Sequence, residues 1–180
     1  MLRKAILHFN TITKHRHEVM KRCFKVGLYY QGLVHDLSKY SYVEFVNSVK
    51  YYTGHCSPIY YERKEKGYSE VYLHHKAHNK HHCEYWDDPY CEGRHSMMPD
   101  RYIIESVIDR LVASHIYLQD DYQDNAPYEY FLNDHPITDH MSKMEYDKFA
   151  HLLIYLKDHG EEALLKYLKF IVKDGCNIKI

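Results

Sequence analysis

Apolar residues recur at helical spacing through most of the chain, and nowhere do they alternate with polar ones as in a half-buried strand. Over residues 2 to about 26, Ile6, Phe9, Ile12, Val19 and Val26 mark one face of a helix that should stop at Gly27. A second segment, LYYQGLVHDLSKY, leads to Ser41, which with Glu44 makes a capping box for a helix carrying Phe45, Val46 and Val49 and ending at Gly54. HCSPIYYERKEKG, polar and punctuated by Pro58 and Gly67, has the composition of a connecting loop. From Ser69 the run SEVYLHHKAHNKHHCEYW contains no Gly or Pro and is expected to be helical until DDPYCEGRHSMMP breaks it.

Pro99 and Asp100 then open DRYIIESVIDRLVASHIYL, with Ile104, Val107, Ile108, Leu111 and Val112 inward. A loop is expected around Pro127 and Pro136. Ser142 and Glu145 cap a helix that stops at Gly160, and EEALLKYLKFIVKDG closes the chain. These elements predict an all-α helical bundle formed as a single domain over 1–180.

At 180 residues such a chain can bury a substantial core without disulfides. Its five cysteines include no C-x-x-C pair and read as free thiols of a reducing compartment. A secretory signal or a transmembrane run of about 18 apolar residues is missing from the pattern, so the expected location is the cytoplasm. A net charge of −1 implies no general attraction to nucleic acid or to an anionic membrane.

Two residue types stand out, 20 tyrosines and 16 histidines. Tyrosine suits amphipathic packing, ring inward and hydroxyl outward. Histidine points to chemistry, because imidazole is a common metal ligand and acid/base group. The adjacent pair His35-Asp36 offers a neutral nitrogen and an anionic oxygen to one divalent ion. On the first helix His15 shares the inward stripe with Ile12 and Val19, whereas His17 lies among polar residues. Asp109, set among apolar residues, is either a fourth ligand or the partner of a basic residue such as Arg110.

In HHKAHNKHH, a continuous helix would divide the histidines between a His74/His78/His81 face and a His75/Asn79/His82 face. Residues seven apart on one helix are separated by about 10 Å, awkward for sharing one ion. The face carrying Asn79 suits a polar pocket wall, so Asn79 is a candidate for substrate contact and His75 and His82 for proton transfer, with His74 on the neighbouring face a further candidate for substrate contact.

The order His15, His35-Asp36, histidine cluster, Asp109 resembles the H…HD…H…H…D pattern of the HD-domain metal-dependent phosphohydrolase superfamily. Through HFNTITKH, GLVHDLSKYS, LHHKAHNKHHCEYW and MMP the chain is also similar to a family of uncharacterised bacterial and phage proteins. The resemblance implies an HD-type bundle in which His15, His35, Asp36 and Asp109 hold a divalent metal (Mn, Fe, Co, Mg or Zn), with Asp36 able to bridge to a second ion. HDLSK matches the H-D-x-x-K form, which implies that Lys39 assists at a phosphate. The leading expectation is hydrolysis of a small-molecule phosphate ester, such as a nucleotide, by metal-activated water. Mixed His/carboxylate ligation also admits a diiron oxygenase of the same fold, and a third reading is a non-enzymatic metal-binding or partner-binding protein.

Overall fold

The computed structural model describes residues 1–134 and 138–180. Among them the helices are α1 (Leu2–Val26), α2 (Tyr29–Val34), α3 (Tyr42–Tyr51), α4 (Pro58–Lys66), α5 (Glu70–His78), α6 (Asp100–Leu118), α7 (Ala126–Asn133) and α8 (Lys143–Lys173). Short 3₁₀ turns occupy Leu37–Tyr40, Cys83–Trp86, Glu92–Arg94 and Gln119–Asp121. No strand occurs among the described residues, only one isolated antiparallel bridge between Asp87 and His95. The architecture is all-α, and no described helix is long and apolar enough to cross a membrane.

Helix α6 is the axis of the fold. Residues 103–108 are buried without interruption, so this stretch has no solvent face. Against it pack α1, through Val19, Cys23 and Val26, and α8, through Phe149, Leu152, Leu153, Leu156, Leu164 and Leu168. Phe131 of α7 closes the core by stacking on Phe149, with ring centroids 5.7 Å apart. Helices α3, α4 and α5 lie together to one side, joined to this core through α1 and the turn after α2.

Several expectations change. On α1, Ile6 and Phe9 are 53% and 47% exposed, while His8 and His15 continue the buried stripe of Ile12, Val19 and Cys23. Residues 58–66 form a helix instead of a loop, because Pro58 sits in the first turn and Gly67 takes the left-handed position after the last (φ 82°). Proline at the start and glycine past the end are helix punctuation as well as loop composition. Pro127 likewise lies in the first turn of α7, while Pro136 lies outside the described residues. Gly160 interrupts α8 with φ 81° and ψ 169°, and both Ser142 and Glu145 close the expected capping box at its start.

The capping box at Ser41 is only half formed. Ser41 Oγ accepts from the backbone N–H of Glu44, but the Glu44 side chain turns into the protein instead of back to the cap. Helix α5 ends at His78, eight residues short of the expected limit, with Asn79 extended at φ −128°, ψ 106°. The Asn79 amide bonds back to the carbonyl of His75 (2.7 Å) and across to Ser38 Oγ (2.7 Å). Such side-chain bonds compete with the helical ladder and stop it.

Candidate metal centre

The His35-Asp36 pair sits where α2 gives way to the 3₁₀ turn. His35 caps α2 at φ −48°, ψ 125°, and Asp36 is left-handed at φ 54°. A left-handed residue other than glycine is uncommon, and aspartate is among those that tolerate it. The junction is held from α1 by Arg16, one residue after His15, whose guanidinium donates to the carbonyls of His35 (3.0 Å) and Leu33. A close approach of α2 to α1 at Gly32 completes the seating, since a Cβ there would stand 2.9 Å from Cys23 Cβ.

Asp36 is 1% exposed and lies at the centre of two donor groups. Its Oδ2 is 3.4 Å from both His15 Nε2 and His35 Nε2. Asp109 Oδ1 in turn lies 2.8 Å from His15 Nε2 and 3.2 Å from His35 Nε2. The other oxygen, Oδ1, is 3.3 Å from His75 Nε2 and 3.6 Å from His81 Nε2. One donor set is therefore His15, His35, Asp36 and Asp109, a second is His75, His81 and His82, and a third, His35, His81 and Glu105, joins them from behind, each with ligand atoms within 4.8 Å of one another.

The distance argument made for a continuous helix does not apply to His75 and His82. Because the chain turns at Asn79, their rings approach to 4.8 Å between centroids. His74 is at the edge, bonded to Glu44 Oε1 (2.7 Å) and stacked on His78 (4.0 Å). Asn79 is buried beneath His75, so it acts on the geometry of the turn. Lys39 Nζ is 2.5 Å from Asp36 Oδ2 and remains partly open to solvent. His17, unlike His15, is exposed.

Three residues of the cluster went unread in the sequence: His81, Glu44 and Glu105. Glu44 Oε2 accepts from His75 Nδ1 (2.9 Å). Glu105 Oε1 lies 2.8 Å from His35 Nδ1 and 3.2 Å from His81 Nδ1. A carboxylate can only accept, so Nδ1 of each ring carries the proton and the Nε2 of His35, His75 and His81 is turned to Asp36. That is the outer support metal-binding histidines commonly have. The one available signal for Glu105 was its place one turn before Asp109, on the same face of α6.

The electrostatics favour a cation. Burial works against the charge of Asp36, yet His35, Lys39, His75 and His15 hold its carboxyl well below the usual carboxylate range. Asp109 is held low in the same way, against burial, by His15 and His35. Burial also disfavours a His35 cation, but Asp36, Asp109 and Glu105 raise its pKa well above the ordinary value. Burial first, then His81 and His75, push His82 far down, so that it is neutral with its lone pair available. Asp36 and Asp109 thus face Lys39 as well as imidazoles, while Glu44 and Glu105 face imidazoles.

A bound ion also fits the polar atoms left without hydrogen bonds. Both Asp36 oxygens and His82 Nε2 are buried with no well-formed hydrogen bond, although Lys39 is ion-paired to Asp36 Oδ2; Asp36 belongs to the first donor set and His82 to the second. Buried acceptors are seldom left so, and a metal ion satisfies such atoms together. Nitrogen and carboxylate donors in this mixture suit a divalent transition metal.

Residues 4–153 match the family described as "Family of unknown function (DUF5662)", and the chain belongs to it. No curated protein and no solved structure matches the chain.

Proposed function

We propose that this member of DUF5662 is a metal-dependent hydrolase of small phosphate esters, built on an HD-type bundle with two ion positions that share Asp36. The observation that carries the reading is the buried Asp36 carboxylate, ion-paired to Lys39 but without a well-formed hydrogen bond, one oxygen turned to His15 and His35 and the other to His75 and His81. His15, His35, Asp36 and Asp109 would hold one ion, and His75, His81 and His82, with the second oxygen of Asp36, the other. Divalent ions there would acidify a coordinated water and polarise a phosphoryl oxygen.

The chain's own residues divide the remaining work. Lys39, whose ammonium is held protonated against burial by Asp36 and Asp109, can move from Asp36 to a phosphate and neutralise charge developing there. Asp109 is 19% exposed and His15 10%, against 5% or less for His35, Asp36, His75 and His81, so a substrate would approach from the His15/Asp109/Lys39 side. Tyr117, about two turns beyond Asp109 on α6, lies near enough for Lys39 to oppose the rise that burial gives its phenol. It would flank that approach. His75 and His82, read from sequence as proton-transfer groups, suit ligation better, because His75 is enclosed between Asp36 and Glu44.

The test is elemental analysis of the purified protein, followed by a panel of phosphomonoesters and nucleotides assayed with Mn²⁺, Co²⁺, Fe²⁺ or Mg²⁺. Chelator-sensitive release of phosphate from at least one ester is the expected result. Co-purifying iron with O₂ consumption and no phosphate release would replace the hydrolase with an oxygenase on the same ligands. Ions bound tightly without turnover of any ester would favour a non-enzymatic metal-binding role.

A further inference from the structure

Behind Asp36, a second carboxylate faces the same two imidazoles from the opposite side. His35 and His81 lie nearly side by side, ring centroids 4.5 Å apart and planes tilted by 33°. In front, their Nε2 atoms face different oxygens of Asp36, at 3.4 Å for His35 and 3.6 Å for His81. Behind, their Nδ1 atoms converge on the same oxygen, Oε1 of Glu105, at 2.8 and 3.2 Å. The two rings form paired struts between two buried carboxylates. One strut belongs to the first donor set and the other to the second.

We propose that Glu105 is the positioning residue that couples the two ion positions, orienting His35 for one and His81 for the other through a single carboxylate oxygen. The proposal rests on the two-ion reading of the site above. Glu105 could itself join His35 and His81 around an ion, but an Nδ1 that donates to it has no lone pair left for a metal, so in this reading it acts through the rings. Its placement makes it a rigid reference: it is 3% exposed, lies in the fully buried stretch of α6, and is one turn from Asp109, itself a member of the first set. Accepting both Nδ1–H bonds fixes both tautomers with Nε2 free for a metal and strengthens both nitrogens as donors. A ring turned at His35 therefore disturbs the shared oxygen on which His81 depends.

Glu44 supplies the contrast. It accepts from His75 and from His74, of which only His75 belongs to a donor set. Loss of Glu44 should reach one ion position, and loss of Glu105 both.

The experiment is a cobalt titration of the full, metal-stripped chain, read by the visible absorption of bound Co²⁺ and by cobalt per chain, for wild type, Glu105→Gln and Glu44→Gln. Wild type should take up two ions. Glu105→Gln keeps an acceptor oxygen but loses the charge that strengthens both nitrogens, and should weaken both binding steps by about 10-fold, the lower end of the usual effect of altering an outer partner of a ligand. Glu44→Gln should weaken one step only. Histidine ¹⁵N NMR of the zinc-loaded protein adds a readout that a merely structural role would not move: protected Nδ1 protons on both His35 and His81 in wild type, and faster exchange of both in Glu105→Gln, whose neutral oxygen is the weaker acceptor.

Two wild-type binding steps that Glu105→Gln leaves unchanged, or of which it weakens just one, would overturn the coupling role while leaving the two-ion reading intact. Wild type that binds no cobalt would overturn both. Should Glu105→Gln lose its helical circular dichroism, Glu105→Asp carries the test. It keeps the charge but, one methylene shorter, draws the shared oxygen back from both rings, so both steps should weaken, and full-affinity loading of either would refute the coupling.

Discussion

Asparagine at position 36 separates the carboxylate from everything else Asp36 does. Asn tolerates the left-handed backbone at φ 54° and keeps the volume, so the substitution removes charge and ligand capacity without forcing the α2 junction open. In the stripped protein His15, His35, Lys39, His75 and His81 lose their common counter-charge. Removing one partner of a fully buried pair costs about 3–5 kcal/mol. Lys39 is 28% exposed on its side chain and can relax into water, which brings the expected loss to about 2–3 kcal/mol.

For a chain of this size each kcal/mol moves Tm by about 2–4 °C, so stripped Asp36→Asn should melt roughly 5–10 °C below stripped wild type. Metal should widen the gap. At a free ion concentration 100 times Kd, each occupied position adds about 2.7 kcal/mol to wild type. If both ion positions share Asp36 as proposed, Asp36→Asn should gain almost none of it. Thermal melts followed by circular dichroism, with and without added Mn²⁺ and paired with elemental analysis, measure both terms. An Asp36→Asn protein that keeps two ions and the full metal-induced rise would refute the assignment of Asp36 as the shared ligand.

Lys39→Ala should lower kcat on any ester that is turned over by about 100-fold while changing metal affinity far less; equal losses in both would mean that Lys39 serves the metal site alone. Asn79→Ala removes the amide that stops α5 and should cost the ion at His75, His81 and His82 while sparing the other, as counted by cobalt per chain. Gly32→Ala should destabilise the fold by about 1–3 kcal/mol in urea unfolding, because the new methyl meets Cys23 Cβ, which cannot rotate away. His8 is buried between Phe45 and Tyr52, and burial, aided by Lys39, lowers its pKa from 6.5 to about 4. The unfolded chain binds that proton first as pH falls, so its contribution is complete above pH 6.5 and disappears on the way to about pH 4. His8→Phe should remove about 2–3 kcal/mol of the acid sensitivity over that window in equilibrium unfolding, and an unchanged pH profile would argue against the shift.

Helix periodicity carried most of the fold because α1, α6 and α8 are long and bury continuous stripes. It faltered where residues have two meanings. Pro58 and Gly67 bound a helix as readily as they mark a loop. The spacing of Ser41 and Glu44 fits a capping box, yet Glu44 has imidazoles within reach and turns to them. His15, His35, Asp36 and Asp109 were legible because each is polar at an inward position or next to one that is. His81 was not, since its role depends on the turn at Asn79, and an Asn in a polar run gives no sign of whether its amide will bond locally. Glu105 was obscured by the buried helix around it, where a polar residue among IIESVID reads as the edge of an apolar face. Its partners lie 70 positions away at His35 and beyond a chain break in helicity at His81.

The unbroken burial of α6 between residues 103 and 108 bears on kinetics. Amides in such a segment exchange with solvent only when the whole molecule opens, whereas those of a nine-residue helix ending in a turn, such as α5, can exchange through local fraying. Asp109 and its support Glu105 ride on the first kind of element, and His75, His81 and His82 on the second kind or just beyond it. The two ion positions would therefore empty on different clocks under a chelator: the one at the histidine turn at a rate set by local opening, the one at Asp109 far more slowly.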